Sequence, residues 1–239
     1  MEDSLTTTLD TPARLVKKIS QASEHRTLPK YIAVEGPIGV GKTTLAVRLA
    51  QTFGYQTLLE PAAENPFLNR FYSEGEQHAL PAQLFFLLHR AQQLASIPGD
   101  DLLGRMVVAD FLMQKDELFA RLTLDEHEFS LYQQIQKSLN IQAPTPDLVI
   151  YLQAPTEVLQ NRISHRGIKF EQHIRSDYLL ALTESYTEFF YYYDAAPLLI
   201  VNAAELDIAN EDEHFEALLD QILTMDSNRQ FYNPQPSLL

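Results

Sequence analysis

The clearest chemistry in the chain lies in one run, Gly36, Pro37, Ile38, Gly39, Val40, Gly41, Lys42, Thr43 and Thr44. Glycines at this spacing let a backbone turn tightly and bring its N–H groups up to phosphate oxygens. With the lysine and threonine that follow, the run fits G-x-x-x-x-G-K-[ST], a phosphate-binding loop. Lys42 would reach the β- and γ-phosphates, and the Thr43 hydroxyl would ligate Mg²⁺. Thr44 carries the N–H donors into a helix N-terminus, whose positive dipole end favours anions. The spacing predicts ATP, or a similar triphosphate, as phosphate donor with Mg²⁺. Two carboxylates stand where such a site would use them. Glu60 ends the second apolar run just before Pro61, and Asp110 ends the third. Phosphoryl transfer to a hydroxyl needs a group that orients and deprotonates the nucleophile, a role that suits Glu60. The competing reading of Glu60 is a solvated loop glutamate.

The motif requires a strand before it and a helix after it. Residues 31–34 are apolar throughout, and residues 44–52 have helical spacing. Further short apolar runs at 57–59, 106–109, 147–152 and 198–201 read as strands. Helical patterns at 84–97, 126–139, 156–165, 178–193 and 213–223 alternate with them, and Pro98-Gly99-Asp100 breaks the first. This alternation predicts an α/β fold, a five-stranded parallel sheet with helices on both faces. Ligands of such sheets bind at the carboxyl ends of the strands, which gathers the loop, Glu60 and Asp110 around one crevice. Residues 29–225 are expected to form one domain. Residues 1–28 read as an extension with one or two helical turns, and residues 226–239 as a flexible tail.

Composition narrows the function classes. Of 239 residues, 45% are hydrophobic and 21% charged, as in a water-soluble globular protein. The formal net charge of −14 argues against non-specific nucleic-acid binding. No apolar run is long enough for a membrane span, and MEDSLTTTLD lacks the basic and apolar regions of a secretory signal. The absence of cysteine excludes disulfides and thiolate metal sites and fits the cytoplasm. The seven histidines show no metal-ligand spacing, so Mg²⁺ held with the nucleotide is the only metal expected. The aromatic run 189–193 reads as helix packing or a subunit contact, and the acids between 205 and 216 as a solvated face.

Further along, Glu60-Pro61-Ala62-Ala63-Glu64-Asn65-Pro66-Phe67-Leu68-Asn69-Arg70-Phe71-Tyr72 resembles the segment after the second strand of deoxynucleoside kinases. It is most similar to the bacterial deoxyadenosine/deoxyguanosine kinase branch. Gln83 with Arg90 resembles that family's base-recognition pair, and Arg162, Arg166 and Glu171 resemble its arginine-bearing lid. The resemblance implies a P-loop NTPase-type fold with a short lid at 162–171. It implies transfer of the γ-phosphoryl group to the 5′-hydroxyl of a deoxyribonucleoside, a purine first and deoxycytidine second. Glu60 would be the base, Tyr72 and Glu171 would hold the sugar 3′-hydroxyl, and Gln83 and Arg90 would read the nucleobase. Lys42, Arg162 and Arg166 would stabilise the moving phosphoryl group. A homodimer through the helices at 84–97 and 131–139 is implied as well. Plainer readings stand beside these: Tyr72 as a core residue, Arg162 on a helix surface, and Arg90 paired structurally with an acid such as Asp116.

Two departures from the family pattern bear on activity. Where the family has an acid-Arg-Ser triplet after the third strand, this chain has Ala109-Asp110-Phe111. Counted back from Phe119-Ala120, Asp110 occupies the arginine's place. Asp110 is expected to shift into the acid's role and hold Mg²⁺ with Thr43, which leaves the arginine's role unfilled. Lys115 or Asp116 stands where the family selects the base. In the lid, Ile168 takes the place of a third arginine, with Lys169 beside it. Two rival functions remain open: a nucleoside monophosphate kinase, with Arg70 and Arg90 facing an acceptor phosphate, and a non-catalytic nucleotide-binding regulatory module.

Overall fold

The computed structural model describes residues 13–95 and 106–234. The break expected at Pro98-Gly99-Asp100 lies outside them. In chain order the elements are α1 (Ala13–His25), β1 (Tyr31–Glu35), α2 (Lys42–Phe53), β2 (Gln56–Leu58), α3 (Leu68–Glu74), α4 (Ala79–Ala95), β3 (Val107–Ala109), α5 (Asp116–Thr123), α6 (Glu126–Leu139), β4 (Leu148–Gln153), α7 (Thr156–Arg166), α8 (Ser176–Tyr192), β5 (Leu198–Asn202), α9 (Asp212–Thr224) and β6 (Arg229–Tyr232).

The sheet runs β2-β3-β1-β4-β5-β6, all parallel. Its inner strands are apolar at nearly every position because helices cover both faces. Ile32, Val34, Val149, Ile150 and Val201 are fully buried. Each such side chain contributes roughly 1.5–3 kcal/mol relative to staying in water. The order places β1 between β3 and β4, so the loop after β1 opens beside the end of β3.

The sixth strand corrects the expected five. It comes from the segment read as a flexible tail. β6 pairs with β5 from Leu198↔Arg229 to Val201↔Tyr232. Arg229 fixes it in place: its guanidinium donates to the carbonyls of Phe190 (3.0 Å) and Tyr193 at the end of α8. A cation there also meets the negative end of the helix. Four residues of edge strand carry little apolar pattern, and so the sequence did not announce them. The amino-terminal segment is likewise more structured than expected. α1 buries Leu15 and packs Ile19 and Ala22 on the core, at helical spacing. Lys18 pairs with Asp220 at 2.8 Å, and Arg26 donates to the Leu223 carbonyl at 2.6 Å.

Elsewhere the boundaries follow local chemistry. α6 starts where expected because Asp125 and Glu128 form a reciprocal capping box, and it ends on Asn140 in the left-handed region. α7 follows Pro155 with no side-chain cap. Phe190 and Tyr193 of the aromatic run are buried, while Tyr191 and Tyr192 are exposed. Among the described residues no helix is long and apolar enough to cross a membrane.

Candidate active site

β1 delivers the chain through Glu35 into the glycine-rich turn. Gly36 (φ 148°) and Gly39 (φ 84°) take conformations that side chains rarely adopt. A Cβ on Gly36 would collide with the Leu152 carbonyl oxygen, and one on Gly39 would lie 2.8 Å from Ile163 Cγ1. α7 and the end of β4 therefore press on the loop and fix its shape. No side chain caps α2, which leaves its first N–H groups for a phosphate. Lys42 Nζ arches over the turn, 2.8 Å from the Gly36 carbonyl and 3.3 Å from that of Pro37. Burial lowers its pKa, and the negative charge of Glu35 works against that shift. This cradle fits a nucleotide's phosphates.

Thr43 donates its hydroxyl hydrogen bond to Asp110 Oδ2, and Asp110 Oδ1 accepts from the Glu60 N–H at 2.8 Å. Burial, then the charge of Glu60, raises the Asp110 carboxyl above its ordinary value. A hydroxyl and a carboxylate are hard oxygen donors of the kind Mg²⁺ takes together with phosphate oxygens and water. Asp110, not Ala109, thus occupies the place of the acid beside the loop, because Ala109 is the last residue of β3 and fully buried. Phe111 and Leu112 follow it straight into the core.

The cleft continues past Glu60, lined by Leu68, Tyr72, Gln83, Arg90, Lys115 and Glu171 among others. Arg90, on α4, donates to Glu60 Oε1 and to Asp116 Oδ1. Asp116 accepts a further bond from the Tyr132 hydroxyl. The structural pairing of Arg90 with Asp116 is thus present, and the same guanidinium also holds Glu60. Burial alone would push the Glu60 carboxyl up, but Lys115, Arg90 and Lys42 overturn that and hold it below the usual carboxylate range. Gln83 donates from Nε2 to Thr123 Oγ1 at 3.2 Å, with its amide in the cleft wall. Asn65 ties the entrance loop to α4 through the Ala82 carbonyl, 3.1 Å away.

Tyr72 packs against Phe170, ring centroids 6.4 Å apart and nearly parallel, and against Tyr178 at 6.3 Å. Burial, then Tyr178, Glu171 and Glu60, raises its hydroxyl well above the usual pKa, so it remains a donor. Arg166 and Glu171, both expected at the substrate, contact each other: Arg166 Nε lies 3.1 Å from Glu171 Oε2, and a second guanidinium nitrogen closes the fork. Lys169 is exposed and Ile168 half-buried.

Arg162 is not in the lining of the cleft. It was expected to stabilise the transferring group, yet its guanidinium is engaged with backbone carbonyls: Ala203 (2.8 Å), Leu206 (3.0 Å), Ala204 (3.2 Å) and, on the phosphate loop itself, Val40 (3.3 Å). Five rigid N–H donors suit a knot of carbonyls, so this arginine braces the loop from behind.

Sequence reasoning gave no role to Glu35. It is fully buried, accepting from the N–H of Leu112 (2.7 Å), the Tyr186 hydroxyl (2.9 Å) and the Gly36 N–H (3.1 Å). The available signal was an acid closing an otherwise apolar central strand. A larger concavity of about 770 Å³ lies at the opposite, amino end of the sheet. It is not the site: Asp147 there spends its carboxylate on the N–H groups of Lys30 and Tyr31.

A phosphate cradle, a Thr–Asp oxygen pair and a buried glutamate at the ends of a parallel sheet define a P-loop phosphotransferase. The chain belongs to the deoxynucleoside kinase family, whose sequence model matches residues 32–225. It is 39% identical over 157 residues to a deoxyguanosine kinase of Bacillus subtilis, covering 65% of this chain and 76% of that protein. A deoxyadenosine/deoxycytidine kinase of the same organism is 28% identical over 211 residues, covering 84% and 96%. Among solved structures, the deoxyadenosine kinase of M. mycoides with bound dATP superposes with a TM-score of 0.69 at 26% identity, covering 81% of this chain and 98% of that one. The protein is a phosphotransferase that phosphorylates deoxynucleosides, a reaction of nucleotide salvage.

Proposed function

We propose that the chain transfers the γ-phosphoryl group of ATP to the 5′-hydroxyl of a purine deoxynucleoside, with deoxycytidine as a weaker acceptor. One observation carries this reading: the phosphate loop and the deeper cleft share one lining, in which Glu60 stands beside Lys42 and the Thr43–Asp110 pair. Glu60 takes the proton from the acceptor hydroxyl as its oxygen bonds to the γ-phosphorus, and ADP leaves. Lys42 and Arg166 face the oxygens on which charge collects. Thr43 and Asp110 would hold Mg²⁺, which would supply charge neutralisation at the phosphates.

The residues beyond Glu60 favour an uncharged acceptor. Tyr72 with Glu171 suits a sugar hydroxyl, and Gln83 suits a base edge. The base preference rests on the relatives named deoxyguanosine and deoxyadenosine kinase. A monophosphate acceptor would need a free cation deep in the cleft, and Arg90 is committed to Glu60 and Asp116 while Lys115 is set between Glu35 and Glu60. Leu88 on α4 and Leu131 on α6 are 43% and 46% exposed and support a homodimer through those helices. The absence of cysteine supports a cytoplasmic setting.

The test is turnover by the purified protein with Mg·ATP on each deoxynucleoside, ribonucleoside and nucleoside monophosphate, with light scattering on the same sample. Deoxyguanosine or deoxyadenosine should be the best acceptor, and the mass that of a dimer. A monophosphate as best acceptor would overturn the assignment.

A further inference from the structure

The mechanism above leaves one buried cation unused. Lys115 closes a short 3-10 turn (Met113–Lys115), and its side chain is only 2% exposed. The ammonium lies 3.5 Å from Glu35 Oε1, 3.7 Å from Glu60 Oε1 and 4.6 Å from the centre of the Phe119 ring. Charge-assisted N–H···O bonds usually measure about 2.7–2.9 Å, so this ammonium is shared between two carboxylates without closing on either. A lysine serving Glu35 alone has no reason to stop short of it, because Glu35 sits among fixed donors and does not move away. The segment that leads into this turn, Asp110-Phe111-Leu112, contributes no cation of its own.

The geometry around Glu60 shows what Lys115 can do. Arg90 and Lys115 both approach the same oxygen, Oε1. Arg90 comes from α4 and Lys115 from the turn before α5. Two cations on one oxygen fix the carboxylate plane and leave Oε2 for an incoming proton. We propose that Lys115 is a positioning residue for the phosphoryl transfer, holding Glu60 by Oε1 so that Oε2 meets the acceptor hydroxyl. This rests on the reading of Glu60 as the base. The balance is that of the transfer itself. The acceptor O–H proton moves to Glu60 Oε2, the acceptor oxygen bonds to the γ-phosphorus, and the bond from that phosphorus to the bridging oxygen breaks with its electrons on ADP.

Misplacing a catalytic group by about 1 Å costs on the order of 10²-fold in rate. Lys115→Met keeps the length and removes the charge. It should lower kcat roughly 10- to 100-fold with the KM values for deoxynucleoside and ATP within about twofold. Because this variant also leaves Glu35 without its counter-charge, it is compared with the double variant Lys115→Met/Glu35→Gln, in which Glu60 remains the one carboxylate beside position 115 and is still paired with Arg90. A Gln at position 35 sets its amide NH2 against a donor, so the double variant is read on kcat, which should stay as low as in Lys115→Met. If its kcat returns to the wild-type value, Lys115 serves only to neutralise Glu35 and the proposal falls. The Glu60→Gln variant separates failure of the premise. If its kcat is near normal, Glu60 is not the base. If its kcat falls and adding Lys115→Met lowers it no further, Lys115 acts through Glu60. A further full loss in that combination would overturn the proposal.

Discussion

The two ends of the cleft are built on different principles. At the phosphate end one contiguous stretch supplies nearly everything: a turn shaped by glycines, the open N-terminus of α2, and Lys42 folded over it. Backbone donors do the binding, and tertiary structure only presses the loop into place, through α7 and through Arg162. At the acceptor end the site is gathered from many separate elements. Glu35 comes from β1, Glu60 from beyond β2, Arg90 from α4, Lys115 and Asp116 from the entry to α5, Tyr132 from α6, and Arg166 with Glu171 from the lid. Each buried charge there is acceptable because another element brings its counter-charge. A binding loop can therefore be local, while a base that must be aimed needs a network.

That contrast can be broken by substitution, and the largest effect should fall on the acceptor end. Glu60→Gln keeps the side chain's size but cannot accept the proton. Its kcat should fall by roughly 10²–10⁴-fold with ATP binding unchanged, as measured by steady-state kinetics and calorimetric titration. Near-normal turnover would remove the distinction between the two ends. Lys42→Ala should cost about 10²–10³-fold in kcat by removing one cation from the transferring group. Its circular-dichroism melting curve should match wild type, because the loop shape depends on glycines and α7. A melting temperature that drops sharply would show that the loop is not local after all. The smallest kinetic effect is expected for Arg162→Ala. It leaves the carbonyls of Val40, Ala203 and Leu206 without their donor and should cost about 2–4 kcal/mol of stability. kcat at 20 °C should change less than tenfold. A loss comparable to that of Lys42→Ala would return Arg162 to the catalytic group.

How much of this was legible depends on range. Glu60 could be read as a candidate base because a carboxylate closing a strand next to a proline marks the rim of a parallel sheet. Asp110 could be read as the acid beside Thr43 because it too closes a strand, although counted from Phe119 it stands in the place of the family's arginine. Lys115 was read, with Asp116, as standing where the family selects the base, and nothing local to it marks its side chain as folded under Glu60. Arg162 was not separable by sequence, because an arginine on a lid helix has the same sequence context whether it faces a phosphate or a knot of carbonyls. α3 and α5, of 7 and 8 residues, were too short to show a helical period, although α5 carries Asp116 and α3 carries Tyr72.

By itself the sequence determined the class of the protein. Apolar runs, helical spacing and the glycine-lysine-threonine loop are short-range patterns, and each is fixed by the backbone geometry of a few adjacent residues. Tertiary structure decided the acceptor end: the sixth strand, the packing of α1 onto the core, the commitment of Arg90 to two carboxylates, and the placing of Lys115 between Glu35 and Glu60. The physical reason is that burial of a charge is allowed only by the partner that meets it. Those partners are separated here by up to 80 residues of chain, from Glu35 to Lys115.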